Sequence, residues 1–275
     1  MRYLNRNKDK VKQQTHNKPI LVLGAGSWGT ALALLLFRNG NTVRLWSYDP
    51  QQVAQLNTLH ENPAYLPGIE LPPDLFISND LEALLDGVDD VLIVVPSCGF
   101  SDAVKQLKAI RPEGLRIAWG TKGLDPDTHQ MLSDVVREIY HPDVSLAVIS
   151  GPSFAKEVAL LMPTGLSLAG NDDAFNSDLI DRLHSPMFRV YLNPDLIGVE
   201  LCGVVKNVLA ITVGISDGIG LGANARSAII TRGLAEMSRL CSALGGQEQT
   251  LMSLTAHAVG RIASGGERGR RGLPI

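Results

Sequence analysis

Ile20-Leu21-Val22-Leu23-Gly24-Ala25-Gly26-Ser27-Trp28-Gly29 is the stretch on which the reading of this chain turns. Four large apolar residues form a short β run. It ends in glycines spaced Gly24-x-Gly26-x-x-Gly29. Thr30 to Arg38 then has the Ala and Leu content of a helix, closed by Asn39-Gly40, where glycine suits the left-handed position after a helix end. A second β run, Thr42 to Tyr48, precedes Asp49-Pro50. Strand, tight turn, helix and strand with short connections make a βαβ unit. In that setting each glycine has a task. Gly24 permits the tight turn, Gly26 lets a pyrophosphate approach the backbone, and Gly29 lets the helix pack close. The helix N-terminus adds free N–H groups and the positive end of its dipole. The segment predicts a dinucleotide site, against the plainer reading of a turn whose glycines serve packing alone.

Outward from that unit the alternation continues. Val91–Val95, Arg116–Gly120 and Ser145–Ser150 read as strands, Ser133–Tyr140 as a helix, and Thr164–Ala169 and Phe188–Tyr191 as the last strands. Continuous apolar strands fit a parallel sheet covered on both faces. Strands separated by helical segments predict an α/β fold with a doubly wound sheet. The pattern changes after Asn193-Pro194. Asp195–Val213 is long, apolar and helical; Gly214–Gly222 reads as a Gly-rich connection; Ala225–Leu244 is helical again. The division expected is a polar extension over 1–18, a dinucleotide-binding domain over 19–192, a partial all-helical substrate domain over 193–255, and an atypical Gly/Arg tail over 256–275.

Composition agrees with a soluble enzyme: 275 residues, 45% hydrophobic and 19% charged, enough chain for a sizeable core. A net charge of −3 gives no global basic excess toward nucleic acid or an anionic membrane. No apolar run reaches the roughly 18 residues that span a bilayer, and the polar N-terminus lacks the apolar segment of a secretory signal. Cys98, Cys202 and Cys241 are odd in number and widely spaced. They suggest neither a metal site nor a disulfide framework, and a cytoplasmic location is expected.

Several residues stand where chemistry is expected. Lys122, in Gly120-Thr121-Lys122-Gly123, follows an apolar strand, and ligands of open α/β sheets bind beyond the carboxyl ends of strands. Gly151-Pro152-Ser153 follows the strand ending at Ser150; it is either a close backbone approach to a ligand or an ordinary connection with Ser153 as helix N-cap. Lys206 lies on a helix apolar on most faces and must snorkel, pair or work. Glu200, six residues earlier, is not the i,i+4 partner that would explain it. Burial would lower the Lys206 pKa and suit it to proton transfer. Near the end of the second strand, Asp49 is a candidate for ribose hydroxyls, and Arg44 either faces a 2′-phosphate or is a plain strand residue, so NAD and NADP both stay open. Asn224 is a candidate cap for the last helix, and Asp217, Asn224 and Arg226 are candidates to line a cleft between domains.

Taken together, GAGSWGTALA at 24–33, VVPS at 94–97, WGTKGL at 119–124, ISGPSFAKEVA at 149–159, PTGLSLA at 163–169, FRVYLNPDLIGVELCGVVKNVLAI at 188–211 and SDGIGLGANARSAIITRGLAEMSRL at 216–240 resemble the bacterial NAD(P)-dependent glycerol-3-phosphate dehydrogenases. The resemblance runs from about Pro19 to about Thr255. It implies a Rossmann-like sheet followed by a helical domain, NAD or NADP as cofactor, and interconversion of dihydroxyacetone phosphate and sn-glycerol 3-phosphate for glycerophospholipid synthesis. It also implies residue roles. Ser27, Trp28, Tyr48 and Ala155 would contact the cofactor together with Gly24, Gly26 and Gly29. Lys122 would contact cofactor and substrate, adding positive charge near the reacting oxygen or the phosphate. Gly151 and Ser153 would help hold the substrate. Lys206 would accept the proton in oxidation and donate it in reduction. The expected partner is a small phosphorylated triose, with a homodimer left open and no nucleic acid or membrane insertion. A non-catalytic dinucleotide-binding fragment and a related hydroxy-acid dehydrogenase are the alternatives.

After Thr255 the resemblance stops. The family's Gly-Leu-Gly-Asp-Leu type turn, Thr-Cys segment and Ser-Arg-Asn stretch do not follow. Ala256 to Ile275 instead holds five glycines and four arginines. Arg261, Arg268 and Arg270 match none of the family's functional positions. The shift suggests a frameshift or truncation near residue 255, with low solubility and impaired activity as the expected consequence.

Overall fold

The computed structural model describes residues 18–151 and 153–250. The 1–17 extension, Pro152 and the segment from 251 onward, with the expected domain end at 255 and the Gly/Arg tail, lie outside the described residues. The chain runs β1 (Ile20–Leu23), α1 (Ser27–Arg38), β2 (Val43–Trp46), α2 (Pro50–Leu59), β3 (Glu61–Asn62), β4 (Leu66–Glu70), β5 (Phe76–Ser78), α3 (Leu81–Leu85), β6 (Asp90–Ile93), α4 (Phe100–Ile110), β7 (Arg116–Trp119), α5 (Leu132–Ile139), β8 (Leu146–Ser150), α6 (Ala155–Ala159), β9 (Thr164–Gly170), α7 (Asp173–Leu183), β10 (Phe188–Leu192), α8 (Leu196–Gly218) and α9 (Gly222–Ala243).

Eight strands form one sheet in the order β10-β9-β8-β7-β6-β1-β2-β5. Its pairs are parallel except β8 with β9. From β1 the chain moves outward to β2 and β5, then returns to the other side of β1 with β6, β7 and β8. The reversal of direction between β1 and β6 is the topological switch point at which open sheets bind ligands. Leu23 lies level with Trp46 on one side and Ile93 on the other, so the turns after β1 and β6 leave the sheet side by side. β1, β6 and β8 are buried along their whole length, because helices cover both faces.

One face of the sheet packs against α1, the β3–β4 hairpin and α7; the other packs against α3, α4, α5 and the start of α8, through Val199 and Cys202. A smaller cluster, Leu201, Leu209, Val213, Met237 and Cys241, joins α8 to α9. By length and composition α8 is the one described helix apolar enough to cross a membrane, although it is not an uninterrupted apolar run. It carries Glu200 and Lys206; Val199, Cys202, Leu209 and Val213 are buried against the sheet and α9, while Val208, Ile211 and Ile215 on its other side are exposed.

The structure corrects two sequence expectations here. The Gly214–Gly222 stretch is mostly helix, because α8 continues to Gly218 and only the turn to α9 is irregular. Leu209, Val213 and Ser216 share one buried side of α8. Burying that side outweighs the glycine penalty of about 1 kcal/mol per residue. Asn224 does not cap α9; it lies inside the first turn, and Leu221 is the N-cap. Asp217 and Arg226 pair with each other at 2.7 Å, tying α8 to α9 across their turn.

At the amino edge of the sheet, Asp90 receives Arg116 Nε at 2.6 Å and Arg182 Nη2 at 3.2 Å, with Arg182 only 2% exposed. Breaking a buried pair leaves a desolvated charge, which typically costs about 3–5 kcal/mol. Asp90→Ala is therefore expected to lower unfolding stability by about that amount, read from the urea midpoint. A midpoint equal to the parent's would show the network to be energetically idle.

Candidate active site

Gly24 has φ +119°, and a Cβ there would approach the Val94 carbonyl carbon to 3.1 Å. A Cβ on Gly29 would lie 1.7 Å from the Gly24 carbonyl oxygen. Both glycines thus bring α1 and β6 together. Gly26 differs, since a Cβ there would meet no described heavy atom within 4 Å. It is the N-cap of α1 and supplies no capping side chain. The first-turn amides of α1 therefore border open space, which is the requirement for a pyrophosphate cradle.

Residues outside the motif hold this cradle. The Ala25 carbonyl accepts from Gln52 Nε2 at 2.8 Å and from Asn62 Nδ2 at 2.9 Å. The Asn62 amide also donates to Thr30 Oγ1 at 2.8 Å. Ser27 Oγ donates to the Tyr65 carbonyl. The β3–β4 hairpin is thus a strap on the glycine loop, and the sequence carried no periodic signal for it.

At the second strand, Tyr48 lies just beyond β2 and is 78% exposed. Asp49 is occupied as the N-cap of α2, accepting from the Gln51 amide at 2.8 Å. Arg44 lies near the start of β2, away from the carboxyl edge. Its Nη1 donates to the carbonyls of Leu84 at 2.7 Å and Asp86 at 2.6 Å, where α3 ends. Of the two readings left open for Arg44 this supports the structural one, since its guanidinium satisfies helix-end carbonyls. Arg44→Ala is expected to cost about 1–2 kcal/mol of stability and to leave the ratio of NADPH to NADH affinity unchanged. A shift in that ratio, measured by fluorescence titration, would restore the 2′-phosphate reading.

Two lysines meet at the carboxyl edge of the sheet. Lys122 follows β7 in a loop fastened by Thr121 Oγ1, which donates to the Val95 carbonyl at 2.8 Å. A Cβ on Gly120 would lie 2.9 Å from Trp28 Nε1, so the missing side chain seats the indole. Lys206 comes from α8, and its Nζ donates to the Gly151 carbonyl at 2.9 Å. Gly203, one turn earlier, lets α8 approach: a Cβ there would be 3.3 Å from Ser150 Oγ and 4.0 Å from Lys122 Cγ.

Burial pushes the Lys206 amine down to about 8, and the neighbouring Lys122 charge adds to the effect. Burial also lowers Lys122, while its hydrogen bond to Lys206 acts in the opposite sense. Of the two, Lys206 is the one whose value burial and a neighbouring charge bring down toward neutral pH, with Lys122 beside it.

Gly151 is buried, and a Cβ there would clash with Leu166 Cδ2 at 2.7 Å. Its carbonyl also accepts from the Ser153 amide at 3.0 Å. Ser153 is not the helix cap expected as its plainer role; Phe154 holds that position, and Ala155 opens α6. The structure thus brings Lys122, Lys206, Gly151 and Ser153 into one cluster. Ser27, Trp28 and the glycines line the neighbouring cradle, while Tyr48 stands on the far side of β1 from β7 and β8.

A nucleotide cradle beside paired, half-desolvated amines defines a class: the dinucleotide-dependent oxidoreductases. Comparison with known proteins narrows it. The family model for the NAD-dependent glycerol-3-phosphate dehydrogenase N-terminus matches residues 19–176, and the model for the C-terminus matches 195–261, reaching past Thr255. A glycerol-3-phosphate dehydrogenase [NAD(P)+] of Coxiella burnetii is 53% identical over 86% of this chain and 70% of its own length. One from Xanthomonas campestris is 49% identical over 86% of this chain and 69% of its own. The crystal structure of the C. burnetii enzyme superposes with a TM-score of 0.84 at 53% identity, over 87% of this chain and 73% of that one. A Plasmodium falciparum glycerol-3-phosphate dehydrogenase gives 0.77 at 26% identity, over 86% and 69%.

The chain belongs to the NAD-dependent glycerol-3-phosphate dehydrogenase family. It is an oxidoreductase that uses NAD or NADP, acting between glycerol 3-phosphate and its ketone, dihydroxyacetone phosphate. The non-catalytic fragment and the hydroxy-acid dehydrogenase considered from sequence are not favoured.

Proposed function

We propose that this chain performs its reaction with Lys206 as the proton-transferring group and Lys122 as its electrostatic partner. One observation carries the reading: a half-buried amine, lowered to about 8, sits at the carboxyl edge of the sheet in contact with a second lysine and the Gly151 carbonyl. The cradle fits a dinucleotide, because Gly26 opens on space and the α1 amides lack a capping side chain. Gly24, Gly26 and Gly29 would seat the pyrophosphate, with Ser27, Trp28, Tyr48 and Ala155 around the remainder. When bound, NAD(P) supplies or takes the hydride.

The chain's own residues do the rest. As the ketone carbon is reduced, its oxygen gains negative charge, and the Lys206 ammonium stabilises and protonates it. In the reverse direction the Lys206 amine takes the hydroxyl proton. Lys122 keeps positive charge beside the same oxygen and the substrate phosphate. Gly151 and Ser153 orient the substrate from the turn after β8. The division at 192/193 gives the two halves separate tasks, with nucleotide held by 19–192 and the proton-transferring amine supplied by the helical unit. The setting proposed is cytoplasmic synthesis of the glycerophospholipid backbone by a homodimer, with no part for nucleic acid or bilayer insertion.

Oxidation of NADH and NADPH followed at 340 nm with dihydroxyacetone phosphate tests the reading. Turnover with dihydroxyacetone phosphate that is absent with short 2-keto acids is expected, and the opposite preference would overturn it.

A further inference from the structure

Six residues before Lys206, α8 carries a buried carboxyl. Glu200 is 4% exposed, and its Oε1 accepts the Ser133 amide at 3.0 Å. Ser133 lies in the first turn of α5, whose own N-cap, Met131, offers no side-chain acceptor. One of the orphan donors at the start of α5 is therefore satisfied from another helix, 67 residues away in sequence. Glu200 Oε2 has no hydrogen-bond partner among the described residues. Burial pushes this carboxyl up to about 7, against the hydrogen bonds of Ser133, and Asp134 on α5 pushes in the same direction as burial. The positive end of α5 favours a carboxylate at that place.

Three contacts follow one another along α8. Glu200 meets α5, Gly203 lies against Ser150, and Lys206 reaches Gly151. The last two allow sliding, because one is a missing side chain and the other ends a flexible one. The first is a directional hydrogen bond from the backbone of α5 to a buried carboxyl of α8.

We propose that Glu200 is a positioning residue: by capping α5 from α8, it fixes where the Lys206-bearing helix sits along the sheet. The proposal rests on the assignment of Lys206 as the proton-transferring group. A displacement of about 1 Å at a reacting group can cost about 100-fold in rate, so a peg of this kind acts on turnover more than on nucleotide capture.

The test compares Glu200→Ala, Glu200→Gln and Lys206→Met in the full chain, with NADH affinity read by fluorescence and kcat read with dihydroxyacetone phosphate. Glu200→Ala is expected to lower kcat about 10- to 100-fold while NADH affinity stays within about twofold, since the cradle is untouched. Glu200→Gln keeps an acceptor for the Ser133 amide, and rescue of kcat to within about threefold is expected. Parent-level kcat in Glu200→Ala overturns the proposal. So does equal loss in Glu200→Ala and Glu200→Gln, or loss of NADH affinity in step with kcat. If Glu200→Ala does not fold, Ser133→Pro removes the same donor in a first turn that tolerates proline, and it must give the same drop in kcat. Lys206→Met separates the two levels. If it retains turnover, the assignment of Lys206 fails; if it is inactive while Glu200→Ala is fully active, only the positioning role fails.

Discussion

Lys206→Met is expected to lower kcat for dihydroxyacetone phosphate by about 10²–10⁴-fold, the range supplied by a positioned general acid, while NADH binds within about twofold of the parent. Methionine keeps much of the length and apolar stem of lysine, and the approach of α8 at Gly203 to Ser150 does not involve this side chain, so only the titrating group is lost. The pH dependence has a definite sign. Reduction needs the ammonium, so its kcat/KM falls as pH rises through about 8, where the free enzyme's Lys206 gives up its proton. Oxidation of glycerol 3-phosphate needs the amine, so its kcat/KM rises through the same pH. Two profiles bending in the same direction near that pH would remove Lys206 from the proton transfer.

The second large effect separates two glycines three residues apart. Gly29→Ala places a methyl 1.7 Å from the Gly24 carbonyl oxygen, and backbone must move. A cost of about 3 kcal/mol is expected from such overpacking, which lowers the melting temperature by roughly 10 °C for a chain of this size. Gly26→Ala puts its methyl where no described atom stands within 4 Å, at φ −75°. Stability should change by no more than about 0.5 kcal/mol, while NADH affinity falls at least about tenfold, because the methyl occupies the space through which phosphate approaches the amides. The contrast is read by pairing thermal melts with titrations. An Ala variant at Gly26 that binds NADH normally would place the pyrophosphate elsewhere.

The parts of this architecture that were legible in the sequence are those where local chemistry is nearly decisive. The glycine spacing after Leu23 admits few structures, and the apolar runs of β1, β6 and β8 announce strands covered on both sides. Lys206 stood out because an amine on an apolar helix requires an explanation. The remainder depends on contacts between distant segments. Nothing near Asn62 indicates that its amide grips the Ala25 carbonyl. Nothing near Arg44 shows that α3 ends beside it. Glu200 gave no sign of its partner, because the Ser133 amide comes from another helix. Gly214 and Gly218 read as breakers, since local propensity cannot register the side of α8 that α9 buries.

The two amines reach the crevice from different halves of the chain, Lys122 from the loop after β7 and Lys206 from α8, whose first turns pack against the sheet. On the assignment proposed above, the first half holds the nucleotide and the second supplies the proton-transferring amine. On that assignment the molecule works as a two-key lock: a substitution that loosens α8 from the sheet is expected to lower turnover while NADH is still bound.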